Sequence, residues 1–248
     1  MVKWPLLERG DTVLVHSSLT RLLHAYRGMT PLDVLEGLLD AVGERGTLVL
    51  PLFNFDFCHG VPFDECTTKS DMGALTEAGR TYNGATLSRN PIYRFAAIGH
   101  YQHLFDVDNY ESLGAASPFY TLRKLDAKIA VIDLPDQQSM TLIHHVEEML
   151  RAPNRFSKLF TAPYTDRNGE TTTRTYECRV RYENVETCVT PMERILWNQG
   201  VYVMDEFMRV GRARRIYDEV AKVIVEGRSE GILWLKHPPE PGMLDVLL

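Results

Sequence analysis

An α/β fold, a three-layer α/β/α sandwich around a central mixed sheet with an additional antiparallel β-hairpin in the C-terminal part, is the class this sequence predicts. Three observations predict it. A strand, helix, strand order stands near the N-terminus, a second buried-strand run leads through a polar loop into a helix past the middle, and an alternating segment bounded by a turn signal follows.

Thr12 to His16 is a short apolar run with β-branched residues between Gly10-Asp11 and Ser17-Ser18, the pattern of a buried strand. Thr30-Pro31-Leu32-Asp33 then opens a helix, with Thr30 as cap, Pro31 at the first helical position and Asp33 at the positive end of the dipole. Leu35, Leu38, Leu39 and Val42 give it one apolar face, and Gly43 and Gly46 end it. Thr47 to Pro51 is a second strand, which completes a βαβ unit with a parallel sheet. From Phe53 to Arg94 the pattern loosens into a loop-rich region with aromatics, glycines and acids, and long irregular stretches in a domain are often functional. Lys128 to Leu134 is another buried-strand run, followed by the polar loop Pro135 to Met140 and a helix from about Thr141. Open α/β sheets place their ligands at such junctions.

Asp166-Arg167-Asn168-Gly169 is a turn signal, and Thr173 to Tyr182 sets Arg174, Tyr176, Cys178, Val180 and Tyr182 against Thr175, Glu177, Arg179 and Arg181, as an antiparallel hairpin requires. Thr190-Pro191-Met192-Glu193 reads as a capping box, and Ile216, Val220, Val223 and Ile224 line one side of a last helix. The basic stretch Arg209 to Arg215 reads as the exposed face of a helix, and His237 to Gly242 as a proline-rich tail.

With 44% hydrophobic and 24% charged residues over 248 positions, the chain has the composition of a packed protein. Residues 1–248 are expected to form a single domain, with the hairpin and a helical C-terminal portion at about 160–248. A net charge of -6 repels a phosphate backbone, which argues against nucleic acid as a partner. No window approaches the ~20 apolar residues of a membrane span and the start has no apolar leader, so no membrane partner and a cytoplasmic location are expected. Cys58, Cys66, Cys178 and Cys188 are too few for a disulfide scaffold and are expected to be reduced. Cys58, His59 and Cys66 match none of the usual zinc spacings, and no metal is expected.

Ionisable groups concentrate in Thr141-Leu142-Ile143-His144-His145-Val146-Glu147-Glu148. At ~100° per residue, Leu142, Val146, Met149 and Leu150 form the buried stripe of a helix, and His144 points to the other side. Glu147 and Glu148 are its neighbours three and four positions on. A carboxylate on one ring nitrogen fixes the tautomer and frees the other to take a proton, so His144 is a candidate general base. A solvated histidine paired with Glu148 fits the same spacing. The helix dipole disfavours the imidazolium while the carboxylate favours it. His145 borders the stripe as a packed core residue, and the order of the histidines and glutamates fits neither HExxH nor HxxEH.

Several segments, in order, resemble the aminoglycoside 3-N-acetyltransferase family over most of the chain. They are Val15-His16-Ser17-Ser18-Leu19, Gly46 to Pro51, Thr68 to Leu75 with Glu77 and Arg80, Asn90-Pro91 with Phe95-Ala96, Ser117-Pro118, and Thr141-Leu142-Ile143-His144. The resemblance implies an acyl-CoA-dependent N-acyltransferase in which His144 deprotonates the acceptor amine and Glu147 supports it. It also implies that Ser17, Ser18, Ser70, Met72 and Gly73 lie along the pantetheine and pyrophosphate path, although Ser17 and Ser18 also fit a strand end and Gly73 a turn. The sequence departs from the family at Gly28, where a glycine pair is reduced to one, at Asn90 in place of a histidine and at Lys69 in place of a proline.

Pro51 to Phe57 and Asn90 to Tyr93 look more like relatives associated with bacterial surface-polysaccharide sugars. The acceptor expected is therefore an amino sugar, nucleotide-linked in type, with an aminoglycoside antibiotic as the alternative. Asp56, Asp64 and Glu77 are candidates to attract it, or are solvated loop residues. The expected chemistry is direct transfer, with the Thr141 hydroxyl a candidate donor to the oxyanion. Two rival readings are a metal-assisted hydrolase using His144, His145 and Glu148, and a non-catalytic module that binds CoA or a sugar.

Overall fold

A computed structural model describes residues 2–183, 185–229 and 234–236. The first strand, β1 (Thr12–Ser17), buries Val13 and Val15 on one face and Leu14 on the other, as a strand covered on both sides must. After a short α1 (Thr20–Ala25), α2 (Pro31–Val42) begins as its sequence requires. Thr30 Oγ1 accepts from Asp33 N at 3.2 Å and the Asp33 carboxylate accepts from Thr30 N at 2.7 Å. β2 (Thr47–Pro51) then lies parallel to β1, with Val13 opposite Leu48.

The stretch read as loop contains a 3-10 turn at Asp56–His59, β3 (Phe63–Asp64), α3 (Ala74–Arg80) and β4 (Thr86–Leu87). These elements are too short to leave a periodic trace. β5 (Phe95–Gly99), α4 (Pro118–Lys124) and β6 (Lys128–Ile132) come next. β6 stops before Leu134 because the chain turns at Asp133, where φ is 50°. It leads into a one-turn α5 (Asp136–Ser139) and then α6 (Leu142–Met149).

β7 (Arg155–Thr165) and β8 (Thr171–Arg181) form the hairpin, in register from Arg155 opposite Arg181 to Thr165 opposite Thr171. Its turn is held by the Asp166 carboxylate, which accepts from Asn168 N and Glu170 N. β3 adds in parallel to the far end of β7, making a three-stranded sheet. The chain continues through β9 (Val185–Thr187), α7 (Thr190–Asn198), β10 (Tyr202–Met204), β11 (Met208–Arg212), α8 (Ala213–Val225) and β12 (Trp234–Lys236), which pairs with β9.

The central sheet has the order β10-β11-β6-β1-β2-β5-β4, with β6, β1 and β2 parallel and β11 and β5 antiparallel to their neighbours. Alternate side chains sort into two cores. Val13, Val15, Leu48, Leu50, Ala130 and Ile132 pack against α1, α2 and α3, while Leu14, Val49, Phe95 and Ile129 pack against α4, α6 and α8. The result is the expected three-layer α/β/α arrangement around a mixed sheet.

Two expectations are corrected. Arg209 to Arg212 is not helical: it belongs to β11, where Val210 and Gly211 pair with Ala130 and Ile129, and Arg209 is buried. The helix starts only at Ala213. Thr190 does not cap α7, because the helix begins one residue earlier than the motif implies, with Val189 at the N-cap, and Glu193 instead ion-pairs with Arg209. The tail His237 to Gly242 lies outside the described residues. No helix among the described residues is long and apolar enough to cross a membrane, and all four cysteines are free thiols.

Candidate active site

A cavity of about 270 Å³ opens where the chain leaves the carboxyl ends of β2 and β6, the place an open α/β sheet presents to ligands. Phe53, Phe55 and Tyr93 form an aromatic wall, with Tyr93 meeting Phe53 and Phe55 edge-on at 4.9 and 5.6 Å. Thr141 and His144, at the start of α6, line another side, and Arg155 lines the cavity from the start of β7. Residues Asp136 to Met140 complete it and are tied down by Gln137, whose amide donates to Thr187 O at 2.9 Å and accepts from Val189 N at 2.7 Å.

His144 is one-fifth exposed, and its Nδ1 lies 2.9 Å from Glu147 Oε2, one helical turn on. Glu147 is fully buried. It accepts from Asn154 Nδ2 at 2.8 Å on Oε1 and from Arg155 Nε at 2.7 Å on Oε2. A buried carboxylate needs such partners. Burial would raise the Glu147 carboxyl, but the Arg155 charge, the His144 contact and the Asn154 amide outweigh it and hold the group at about 2. For His144 the pull of the carboxylate seen in the sequence is outweighed by influences the sequence did not show. Burial and the Arg155 charge depress the imidazole against the pull of Glu147. A neutral ring engaged at Nδ1 leaves Nε2 as the nitrogen able to take a proton in the cavity.

Thr141 Oγ1 is 3.3 Å from Nε2 of His16, a buried ring at the end of β1 that desolvation holds at about 4 and therefore neutral. If that Nε2 carries the hydrogen, the Thr141 hydroxyl proton is free to point elsewhere.

The other residues singled out in the sequence are distributed as follows. Met72 lines the cavity. Ser70 Oγ accepts from Met72 N at 3.0 Å, and Gly73, with φ +102°, leaves open space where a Cβ would stand. Ser17 and Ser18 are half-buried at the carboxyl end of β1, with Ser18 N bonded to Ile132 O. Asp64 and Glu77 do not line the cavity and spend their carboxylates on their own loop. Asp64 accepts from Cys66 N and Thr67 N, and Glu77 from Ser70 N and Arg80 Nε. Asp56 is exposed beside Phe55 and faces Asp71, whose carboxyl is raised by burial and by the Asp56 charge.

Glu147 and Glu148, read as helix-surface neighbours, are both buried, Glu148 against Arg151 and Arg179. Their arginine partners make that burial tolerable. His145 is sealed in the core with Nδ1 2.7 Å from Leu113 O. His144, His145 and Glu148 thus turn to different partners, and no group of three or more His, Cys, Asp or Glu among the described residues is placed to hold a metal ion.

Arg155 and Asn154 were not singled out from the sequence, and His16, Phe53, Phe55 and Tyr93 stood there only inside longer motifs, with no role of their own. Arg155 and Asn154 stand at a strand start with no periodic mark, and they reach Glu147 only because the chain turns back after α6 through Arg151, where φ is 51°.

Fold and site together define a layered α/β protein with a histidine–carboxylate pair at the edge of a cavity. Residues 14–224 match the sequence model described as Aminoglycoside 3-N-acetyltransferase, and the chain belongs to that family. It is 29% identical over 167 residues to aminoglycoside N(3)-acetyltransferase VII of Streptomyces paromomycinus, a match covering 59% of this chain and 57% of the relative. Among solved structures, aminoglycoside acetyltransferase AAC(3)-Xa superposes with a TM-score of 0.75 at 25% identity, covering 89% of this chain and 88% of the other. A binary complex of AAC-IIIb with CoASH gives 0.72 at 21% identity, covering 90% and 92%.

Proposed function

We propose that this chain transfers an acyl group from acyl-CoA to an amino group of an aminoglycoside-type amino sugar, by direct attack with His144 as general base. The observation that carries this is the His144–Glu147 pair at the cavity edge, in a chain of this family. The amine nitrogen attacks the thioester carbonyl carbon while His144 Nε2 takes its proton. The tetrahedral intermediate collapses with loss of the C–S bond, and the imidazolium returns the proton to the departing thiolate, giving an amide and free CoA thiol. Glu147, ionised and buried, stabilises the transient imidazolium. The Thr141 hydroxyl, on a residue that lines the cavity, is the candidate donor to the oxyanion.

For the donor, the CoASH complex of AAC-IIIb supports acyl-CoA, and the open backbone at Gly73 beside the cavity-lining Met72 is compatible with a pantetheine arm passing close. Ser17, Ser18 and Ser70 remain the candidates to hold its polar groups. For the acceptor, the family and the names of its relatives support an aminoglycoside over the nucleotide-linked sugar first expected. One observation favours the second reading: Arg181, the register partner of Arg155, also lines the cavity, and a cation there suits an acceptor bearing an anionic group.

The test is a thiol-release screen with several acyl-CoA donors against aminoglycosides and nucleotide-linked amino sugars. Release that depends on an aminoglycoside is expected, and it should survive a chelator. Release with nucleotide-linked sugars alone would move the assignment to the second reading. No acceptor-dependent thiol with any amine would end the transferase proposal.

A further inference from the structure

The His144 ring has two neighbours competing for one nitrogen. Glu147 Oε2 lies 2.9 Å from Nδ1, and Arg155 Nη2 lies 2.9 Å from the same atom. A guanidinium only donates, so Nδ1 either carries a hydrogen and gives it to Glu147 or offers its lone pair to Arg155. It cannot do both. Arg155 cannot swing aside to relieve the contact, because its Nε is bound to Glu147 at 2.7 Å and its Nη1 donates to Arg179 O at 3.2 Å. Neutralising Glu147 would not need this geometry, since a lysine at the same place could supply the charge.

We propose that Arg155 is a positioning residue that keeps the His144 ring unprotonated at rest, holding Glu147 as an anion with one nitrogen while pressing another against Nδ1. The proposal rests on the reading of His144 as the base and deepens it. A proton taken from the acceptor amine then sits on a ring fixed beside a cation, and it is passed on to the leaving thiolate rather than retained. The other charged or titratable groups around the ring are accounted for. Asp136, on α5, is already bound by the Tyr202 hydroxyl at 2.6 Å and by Arg209. Arg181, on β8, adds positive charge to the same effect. Tyr93 is a buried phenol raised by desolvation and stays neutral, and His16, behind Thr141, is neutral. Glu147 and Arg155 both contact Nδ1 of the ring itself.

The test is an NMR titration of the His144 ring in the full chain, in wild type, Arg155→Gln and Arg155→Lys, with the signal assigned by its loss in His144→Gln. It uses no acceptor or donor, so it remains decisive even if the thiol-release screen fails. The wild-type midpoint is expected below the ordinary imidazole value of about 6.5. Arg155→Gln should raise it by about one pH unit or more, a roughly tenfold gain in proton affinity. Arg155→Lys keeps the charge but has a single nitrogen and cannot hold Glu147 and face Nδ1 at once, so its midpoint should lie between those of wild type and Arg155→Gln. A merely structural arginine would weaken folding without moving the midpoint. A wild-type midpoint at or above about 6.5, or an Arg155→Gln midpoint equal to wild type, overturns the proposal. Should Arg155→Gln fail to fold by circular dichroism, the lysine variant decides, and a midpoint there equal to wild type overturns it equally. With a working acceptor, the acidic limb of kcat/KM should move in parallel.

Discussion

Removing the imidazole of His144 leaves the cavity without a group of suitable basicity, because the neighbouring Glu147 is buried, ion-paired and held at about 2. His144→Gln is therefore expected to lower kcat on the order of 10²-fold or more, with the KM for acyl-CoA little changed. Steady-state kinetics in the thiol assay measures both, and near-normal turnover would take the ring out of the mechanism. Thr141→Val keeps the shape of the side chain but removes its hydroxyl. A drop in kcat of about 10²-fold is expected if that hydroxyl meets the oxyanion, and an unchanged kcat would restrict its role to the contact with His16. At this scale the sequence was readable where partners share a helix: the spacing brings Glu147 and Glu148 within reach of His144, and the structure pairs it with Glu147. Arg155 and His16 come from separate strands, and no local pattern announces a contact made by the path of the whole chain.

Single elements depend on a few close approaches. Gly99 ends β5 with φ +122°, and a Cβ there would stand 2.3 Å from the carbonyl oxygen of Gly46. Backbone cannot retreat as a side-chain tip can, so Gly99→Ala is expected to cost on the order of 2 kcal/mol or more. A fall in thermal midpoint with the circular dichroism spectrum retained would show it; an unchanged midpoint would mean that the turn relaxes freely. Long elements with strong caps, such as α2 and the first two strands, were legible from their residues. α3 was not, since its seven residues hold a single pair of turns and it is recognisable chiefly by its packing on β2, where a Cβ on Gly79 would lie 2.1 Å from Leu50 Cδ1. The false capping box at Thr190 shows the converse: the residues matched, but the helix start was set by packing of Val189 in the core.

Across the whole molecule, acid should be destabilising well before the carboxylates titrate. His16 and His145 are buried and neutral, each held by desolvation at about 4. Between that value and the ordinary 6.5 the unfolded chain binds more protons than the folded one, so stability is lost as pH falls through this window, on the order of 2–3 kcal/mol per ring. Glu147 adds a further loss below about 4.5, where only the unfolded chain protonates it, down to its folded value of about 2. Urea midpoints at about pH 7.5, 5.5 and 4.5 would reveal a continuous decline, and a flat profile down to 4.5 would show that these rings take up protons without unfolding. The layered class was legible from the strand–helix order, whereas the antiparallel placement of β5 and β11 was not, because the pairing direction of a buried strand leaves no mark in its composition. The hairpin brings one last consequence. Since Arg155 and Arg181 face each other at its root, ten rungs from its turn, the distal arm can gain or lose residues in matched pairs and leave the cavity wall intact, while one unpaired insertion near the root would turn Arg181 to the opposite face of the ribbon. Related chains that differ in arm length are therefore expected to keep the same chemistry and to differ in what the arm touches.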